Sequence, residues 1–186
     1  MRALQLKTSW CSMNVKDYQS EETLLDGRAV LLRAIRAEDK SALISEFKKL
    51  SQRNRYQRFF FAKTTLSDDE LAFFTEVDFI KHVALVAAVI VNGQSYPAGV
   101  GRFVRDNKDS TTADIAFTVV ERYQGLGIAS LLLKHLTIIA RSLGYHAFTA
   151  DVMSANETML EIFRQSNLSM AESTTQGLVQ VRLSLL

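Results

Sequence analysis

Phe117-Thr118-Val119-Val120-Glu121-Arg122-Tyr123-Gln124-Gly125-Leu126-Gly127-Ile128-Ala129-Ser130 reads as a β-strand that runs through a glycine-bearing turn into a helix. The context carries more information than the glycines. A helix start presents backbone N–H groups without intrahelical partners and the positive end of the macrodipole, and small residues there let an anion come close to the amides. The physical expectation is a site for a phosphate or diphosphate. The turn lacks the Gly-Lys-Ser/Thr ending of a P-loop and the third glycine of a dinucleotide fingerprint, so neither of those ligand classes is indicated.

Outward from this stretch the chain alternates strands and helices. Downstream, Ile128 to Leu143 places Leu132, His135, Leu136, Ile139 and Leu143 at helical spacing, with Gly144 as a C-cap. Ala147 to Val152 reads as a strand, Asn156 to Gln165 as a helix and Leu178 to Leu185 as a last strand. Upstream, Ala113 to Val120 is a strand, and Val83–Val91 with Gly99–Arg105 forms a hairpin with a slightly long connection around Asn92-Gly93. Ser67 and Glu70 form a capping box ahead of a helix from Asp68 to Val77. Arg53 to Phe61, basic and then aromatic, is expected to be a helical turn that enters the core, and Arg28–Ile35 followed by Ala37–Leu50 is a strand and a helix. The fold class is α/β (α+β), with a mixed, mostly antiparallel sheet of six or seven strands flanked by helices.

Composition excludes several functions. The 186 residues are 47% hydrophobic, which suits one domain with a sizeable core; we assign it to residues 23–186, with 1–22 as a tail or arm. The 22 basic and 20 acidic residues are interspersed, so no electrostatic footprint for nucleic acid appears. One cysteine, Cys11, forms no internal disulfide, and three histidines (His82, His135, His146) show no metal-ligand spacing. No continuous apolar core of an export signal and no apolar run of membrane-spanning length occurs, so no membrane role and a cytoplasmic location are expected.

Gln124-x-x-Gly127-x-Ala129 resembles the acetyl-CoA pyrophosphate signature of GNAT acetyltransferases, Arg/Gln-x-x-Gly-x-Gly/Ala, with the expected strand before and helix after it. Asn156 to Phe163 lies where that superfamily has its Asn-x-x-Ala-x-x-Leu-Tyr helix. The resemblance implies that acetyl-CoA is held by Phe117, Val119, Val120, Gln124, Gly125, Leu126, Gly127, Ile128, Ala129, Ser130 and Asn156; as a plain helix cap, Asn156 needs no ligand at all. Further pieces resemble the bacterial Pat-type protein lysine acetyltransferases: Asp26-Gly27-Arg28, Arg58-Phe59-Phe60, Val77-Asp78-Phe79, His82 to Ala87 and Asp114-Ile115-Ala116-Phe117. They imply a protein lysine as acceptor, an acyl-CoA synthetase being one candidate, and no metal.

A lysine amine is mostly protonated at neutral pH, so attack on a thioester needs a proton acceptor. In Pat-like enzymes a glutamate on the central strand has that role, and by resemblance Asp114 stands in its place, one methylene shorter. A backbone N–H near Phe117 to Val119 would stabilise the charge on the carbonyl oxygen. Phe163 replaces the tyrosine that protonates the departing thiolate in many relatives; a thiol is acidic enough to leave unassisted. The plain readings are a solvent-facing strand Asp for Asp114, a packed His135, solvated His82 and His146 at strand starts, and a structural Arg58. A small-amine acetyltransferase and a catalytically silent acyl-CoA sensor are the alternatives.

Overall fold

The unbroken apolar run that starts at Val83 is the centre of the molecule. The computed structural model describes residues 14–59 and 64–186. In it β3 (His82–Val91) is buried at every position up to Val89, as a strand covered by helices on both faces must be. Asn92 and Gly93, with φ of +51° and +77°, turn the chain in two residues into β4 (Gln94–Arg105). The connection is therefore tighter than expected, because Gln94 to Pro97 continue the strand with exposed polar side chains that hide its alternation.

On one edge β1 (Gln19–Thr23) and β2 (Ala29–Ala34) add an antiparallel hairpin to β3, and on the other β5 (Thr112–Val119) pairs with β4. After β5 come β6 (Ala147–Met153), parallel to it, and then β7 (Met170–Thr175) and β8 (Leu178–Ser184). One eight-stranded sheet in the order β1-β2-β3-β4-β5-β6-β8-β7 results. Against the six or seven strands expected, the strands that no sequence reading placed are the edges, β1 and β7. Gln-Ser-Glu-Glu-Thr and Met-Ala-Glu-Ser-Thr-Thr bury little, so neither sequence shows an apolar period. Residues 19–22, expected as part of an arm, thus enter the sheet within β1, whereas Cys11 with residues 1–13, and Phe60 and Phe61, lie outside the described residues, as does the side-chain role expected of Arg58 and Phe59.

Helices cover both faces. α1 (Lys40–Lys49), α2 (Gln52–Phe59) and α3 (Asp68–Thr75) lie on one, and the capping box forms: Ser67 Oγ accepts from the Glu70 amide at 3.3 Å while Glu70 Oε2 accepts from the Ser67 amide at 2.9 Å. α4 (Ile128–Ser142) and α5 (Glu157–Arg164) lie on the other. Leu132, Leu136 and Ile139 of α4 are fully buried beside Phe103 and Phe148. Gly101 lets α4 approach the sheet this closely, since a Cβ there would stand 3.0 Å from Leu136 Cδ1 and from Phe117 Cδ1. No helix among the described residues is long and apolar enough to cross a membrane.

Candidate active site

The parallel ladder between β5 and β6 covers only three positions, the last being Asp114 opposite Thr149, although β5 runs on to Val119 and β6 to Met153. Beyond Asp114 the two strands part. The amide of Val120 bonds to the Ala98 carbonyl at 2.9 Å, on the β4 side, so the period-two alternation of a strand turns the amides of Phe117 and Val119 to the open edge. The carbonyl of Val119 agrees, because it accepts from Gln124 Nε2 at 3.1 Å. A slot lined by backbone groups outside the β5–β6 ladder opens along this edge.

At the far end of the slot the chain makes a short 3-10 turn (Glu121–Tyr123), and Gly125 and Gly127 follow with φ of +74° and +88°. Gly127 is the N-cap of α4 and has no side chain to cap it, so the amides of Ile128, Ala129 and Ser130 point outward uncapped. The side chains of Ile128 and Ala129 are buried, leaving their amides as the outward contribution, while Ser130 is exposed. This donor set matches a diphosphate. Leu25, from the turn between β1 and β2, joins the loop: its amide bonds to the Leu126 carbonyl at 3.2 Å and its Cγ lies 3.5 Å from where a Gly127 Cβ would be. No sequence signal marked Leu25, because its contact is made across about a hundred residues.

The structure thus brings Phe117, Val119, Gln124, Gly125, Leu126, Gly127, Ile128, Ala129 and Ser130 to one continuous edge. Val120 is not among them. Its amide is spent on Ala98 and its side chain faces a cavity on the other side of the sheet. Asn156 caps α5, its Oδ1 accepting from the Met159 amide at 3.3 Å. Phe163 is 1% exposed and its ring centroid stands 6.2 Å from that of Phe117, beside the slot.

Asp114 is exposed on the opposite face of β5, with Ala116 and Thr118. It lines an open cavity of ≈ 560 Å³ with Phe73 and Phe74 of α3 and the turn at Asp106 to Lys108. A second, apolar cavity of ≈ 90 Å³ lies under α1, walled by residues such as Leu43, Phe47, Val100 and Thr118. Glu46 lines it, with Oε2 buried and unpartnered among the described residues while Oε1 takes Lys49 Nζ at 2.8 Å. Arg102, Phe74 and Ala116 line both cavities.

Of the histidines, His82 departs from the solvated role expected of it, and His135 keeps its packed one. His82 is buried, its Nε2 3.2 Å from Arg102 Nη1 and its ring 4.6 Å from that of Phe73; burial, then the guanidinium, push its pKa down to about 4. His135 is packed as expected and has partners the sequence did not show, Glu22 Oε1 at 2.8 Å and the hydroxyl of Tyr18, which staple β1 to α4. Burial, then the Glu22 charge, raise the Tyr18 pKa above its ordinary value. Among the described residues no group of three His, Cys, Asp or Glu side chains is arranged to hold a metal ion.

Comparison with known proteins places this geometry. The acetyltransferase (GNAT) family model matches residues 42–167. An acetyltransferase of Pseudomonas aeruginosa is 30% identical over 141 residues, 76% of this chain and 75% of that protein. The acetyltransferase Pat of Mycolicibacterium smegmatis is 37% identical over 93 residues, half of this chain but only 27% of Pat. The crystal structure of the GNAT domain of S. lividans PAT superposes with a TM-score of 0.80 at 29% identity, covering 89% of this chain and 96% of that domain.

Proposed function

The chain belongs to the GNAT acetyltransferase family, and on that premise we propose that it acetylates lysine side chains of proteins in the cytoplasm, with acetyl-CoA as co-substrate. Acetyl-CoA supplies an activated acetyl thioester; the rest is the work of the chain's own groups. The amides of Gly125 to Ser130 bind the diphosphate, and the open edge of β5 beyond Asp114 takes the pantetheine arm along Phe117 and Val119. An amide of that edge faces the oxygen on which negative charge develops. Asp114, across the strand, accepts the amine proton directly or through a water, as its shorter side chain requires. Phe163 offers no proton, so the thiolate departs unassisted.

The observation that carries a protein acceptor is the half-covered sheet around Asp114. Thr149 lies opposite Asp114 and Arg182 opposite Thr149, and beyond them Asp151, Gln180 and Ser173 are all exposed. Helices cover the face over β3 to β5, and no described helix covers it over β6, β8 and β7. An acceptor as large as a folded protein can therefore bring a lysine to Asp114. The Pat-named relatives agree with this reading.

A small aliphatic amine is the second reading, favoured by the apolar cavity under α1 and the unpartnered Glu46 Oε2 in its wall. Mass spectrometry of an acyl-CoA synthetase and of a whole-cell protein extract, incubated with acetyl-CoA and enzyme, separates the two. Site-specific lysine acetylation that falls about 100-fold or more in Asp114→Asn, with acetyl-CoA affinity within twofold, is the expected result. Efficient turnover of a small amine without any protein acetylation would replace it with the second reading.

A further inference from the structure

We propose that Arg102 is a positioning residue for acetyl transfer: standing in the wall shared by the two cavities, it keeps Asp114 in the ionised form that accepts the amine proton. The inference rests on the assignment of Asp114 as base and goes beyond it. Arg102 is only 6% exposed, and arginine is rarely buried without a task for its charge. In the β4–β5 register Arg102 lies opposite Ala116, and Val104 lies opposite Asp114. Arg102 and Asp114 are thus diagonal neighbours on one sheet face, with backbones about 7–8 Å apart. Both line the open cavity.

The guanidinium is held by groups of α3 and β3. Its Nη1 donates to the Phe74 carbonyl at 3.1 Å and to His82 Nε2 at 3.2 Å, and its Cζ sits 4.6 Å from the Phe74 ring centroid. Arginine has no acceptor atom, so His82 Nε2 must be the unprotonated acceptor in that contact. Its depressed pKa, about 4, means that His82 remains neutral at working pH and adds no second cation.

Among the described residues, the other carboxylates around the two cavities make contacts of their own. Asp78, ahead of β3, accepts the amides of Ile80, Lys81 and His82. Asp39 and Glu46, over the enclosed cavity, pair with Arg33 and Lys49. At the rim of the open cavity Asp106 takes the amides of Lys108 and Asp109, with Arg105 and Lys108 adding positive charge. Asp114 is the carboxylate that shares both the sheet face and the cavity with Arg102. A fixed cation there favours carboxylate over carboxylic acid, and it equally disfavours an acceptor ammonium over the free amine.

The test is the pH profile of kcat/KM for acetyl transfer in wild type, Arg102→Met, Arg102→Lys and Asp114→Asn. The acidic limb reports the base, and loss of the nearby cation should raise it by about one pH unit in Arg102→Met while Arg102→Lys leaves it in place. Arg102→Gln supplies the uncharged variant if Arg102→Met does not fold, folding being checked by acetyl-CoA affinity. An uncharged, folded variant with an unmoved limb overturns the proposal, and so does a shift in Arg102→Lys as large as in the uncharged variant. A limb that persists in Asp114→Asn refutes the base itself, a different failure from a limb that depends on Asp114 but not on Arg102.

Discussion

The cofactor side and the acceptor side of the sheet are built on different plans. On the proposed cofactor side a strand, a glycine turn and α4 follow one another between Thr112 and Ser142, and the groups on offer are backbone amides aimed by strand alternation and by two positive φ angles. On the acceptor side, residues of α3, β4, the turn after β4 and β5 line one open cavity, and the site exists only where they meet. A diphosphate is the same in every acetyl-CoA, so a local, side-chain-poor device suffices for it. The acceptor differs between enzymes, and side chains from distant segments can vary independently to suit it.

The largest expected effect tests how local the cofactor side is. Gly127→Val puts a β-branched residue at φ of +88°, so acetyl-CoA affinity should fall about 100-fold by calorimetry, and the backbone strain should lower the melting temperature as well; an affinity loss below threefold would mean that the turn is not the diphosphate site. The acceptor side, by contrast, should carry a pH-dependent share of stability. His82 is buried with a pKa of about 4 against 6.5 when solvated, so between those values the unfolded chain takes up a proton that the folded one refuses. Stability is then complete above pH 6.5 and is lost as pH falls towards 4, by roughly 2 kcal/mol once residual solvent access is allowed for. Denaturation curves at pH 7 and 4.5 should converge in His82→Gln relative to wild type; parallel curves would remove His82 from the account.

Smaller effects probe the seam between the sides. Glu121 of the cofactor turn accepts from the Ser51 amide and from Asn54 Nδ2, both at 2.9 Å, and so anchors α2. Glu121→Gln should raise KM for the acceptor about two- to threefold, the cost of an exposed contact, and leave acetyl-CoA affinity alone; the reverse pattern would place α2 with the cofactor. Smallest of all is Phe163→Tyr. Turnover is expected to stay within twofold, and a large gain would show that the departing thiolate profits from a proton donor.

The same contrast governs what was legible. The signature at Gln124, Gly127 and Ala129 stood out because its meaning lies in neighbouring residues, and the helix cap at Ser67 and Glu70 did so for the same reason. Spacing along a strand does not say which amides are already taken, so only the structure shows that the amide of Val120 is bonded to the Ala98 carbonyl. β1 and β7 escaped notice because edge strands bury too little to alternate. His82 looked solvated at a strand start, and only the fold of α3 over β3 encloses it.

By itself the amino-acid sequence determined the mixed α/β fold and the acetyl-CoA signature, since each is written in local periodicity or in a motif whose parts are neighbours in the chain, and the resemblance to Pat-type enzymes pointed to Asp114 as the proposed base. Only the tertiary structure decided where β5 and β6 part, that Leu25 closes on Gly127, and that Arg102, in contact with a neutral His82, shares a cavity with Asp114. Those relations join residues from separate strands and turns, and packing brings them together at distances no spacing along the chain encodes.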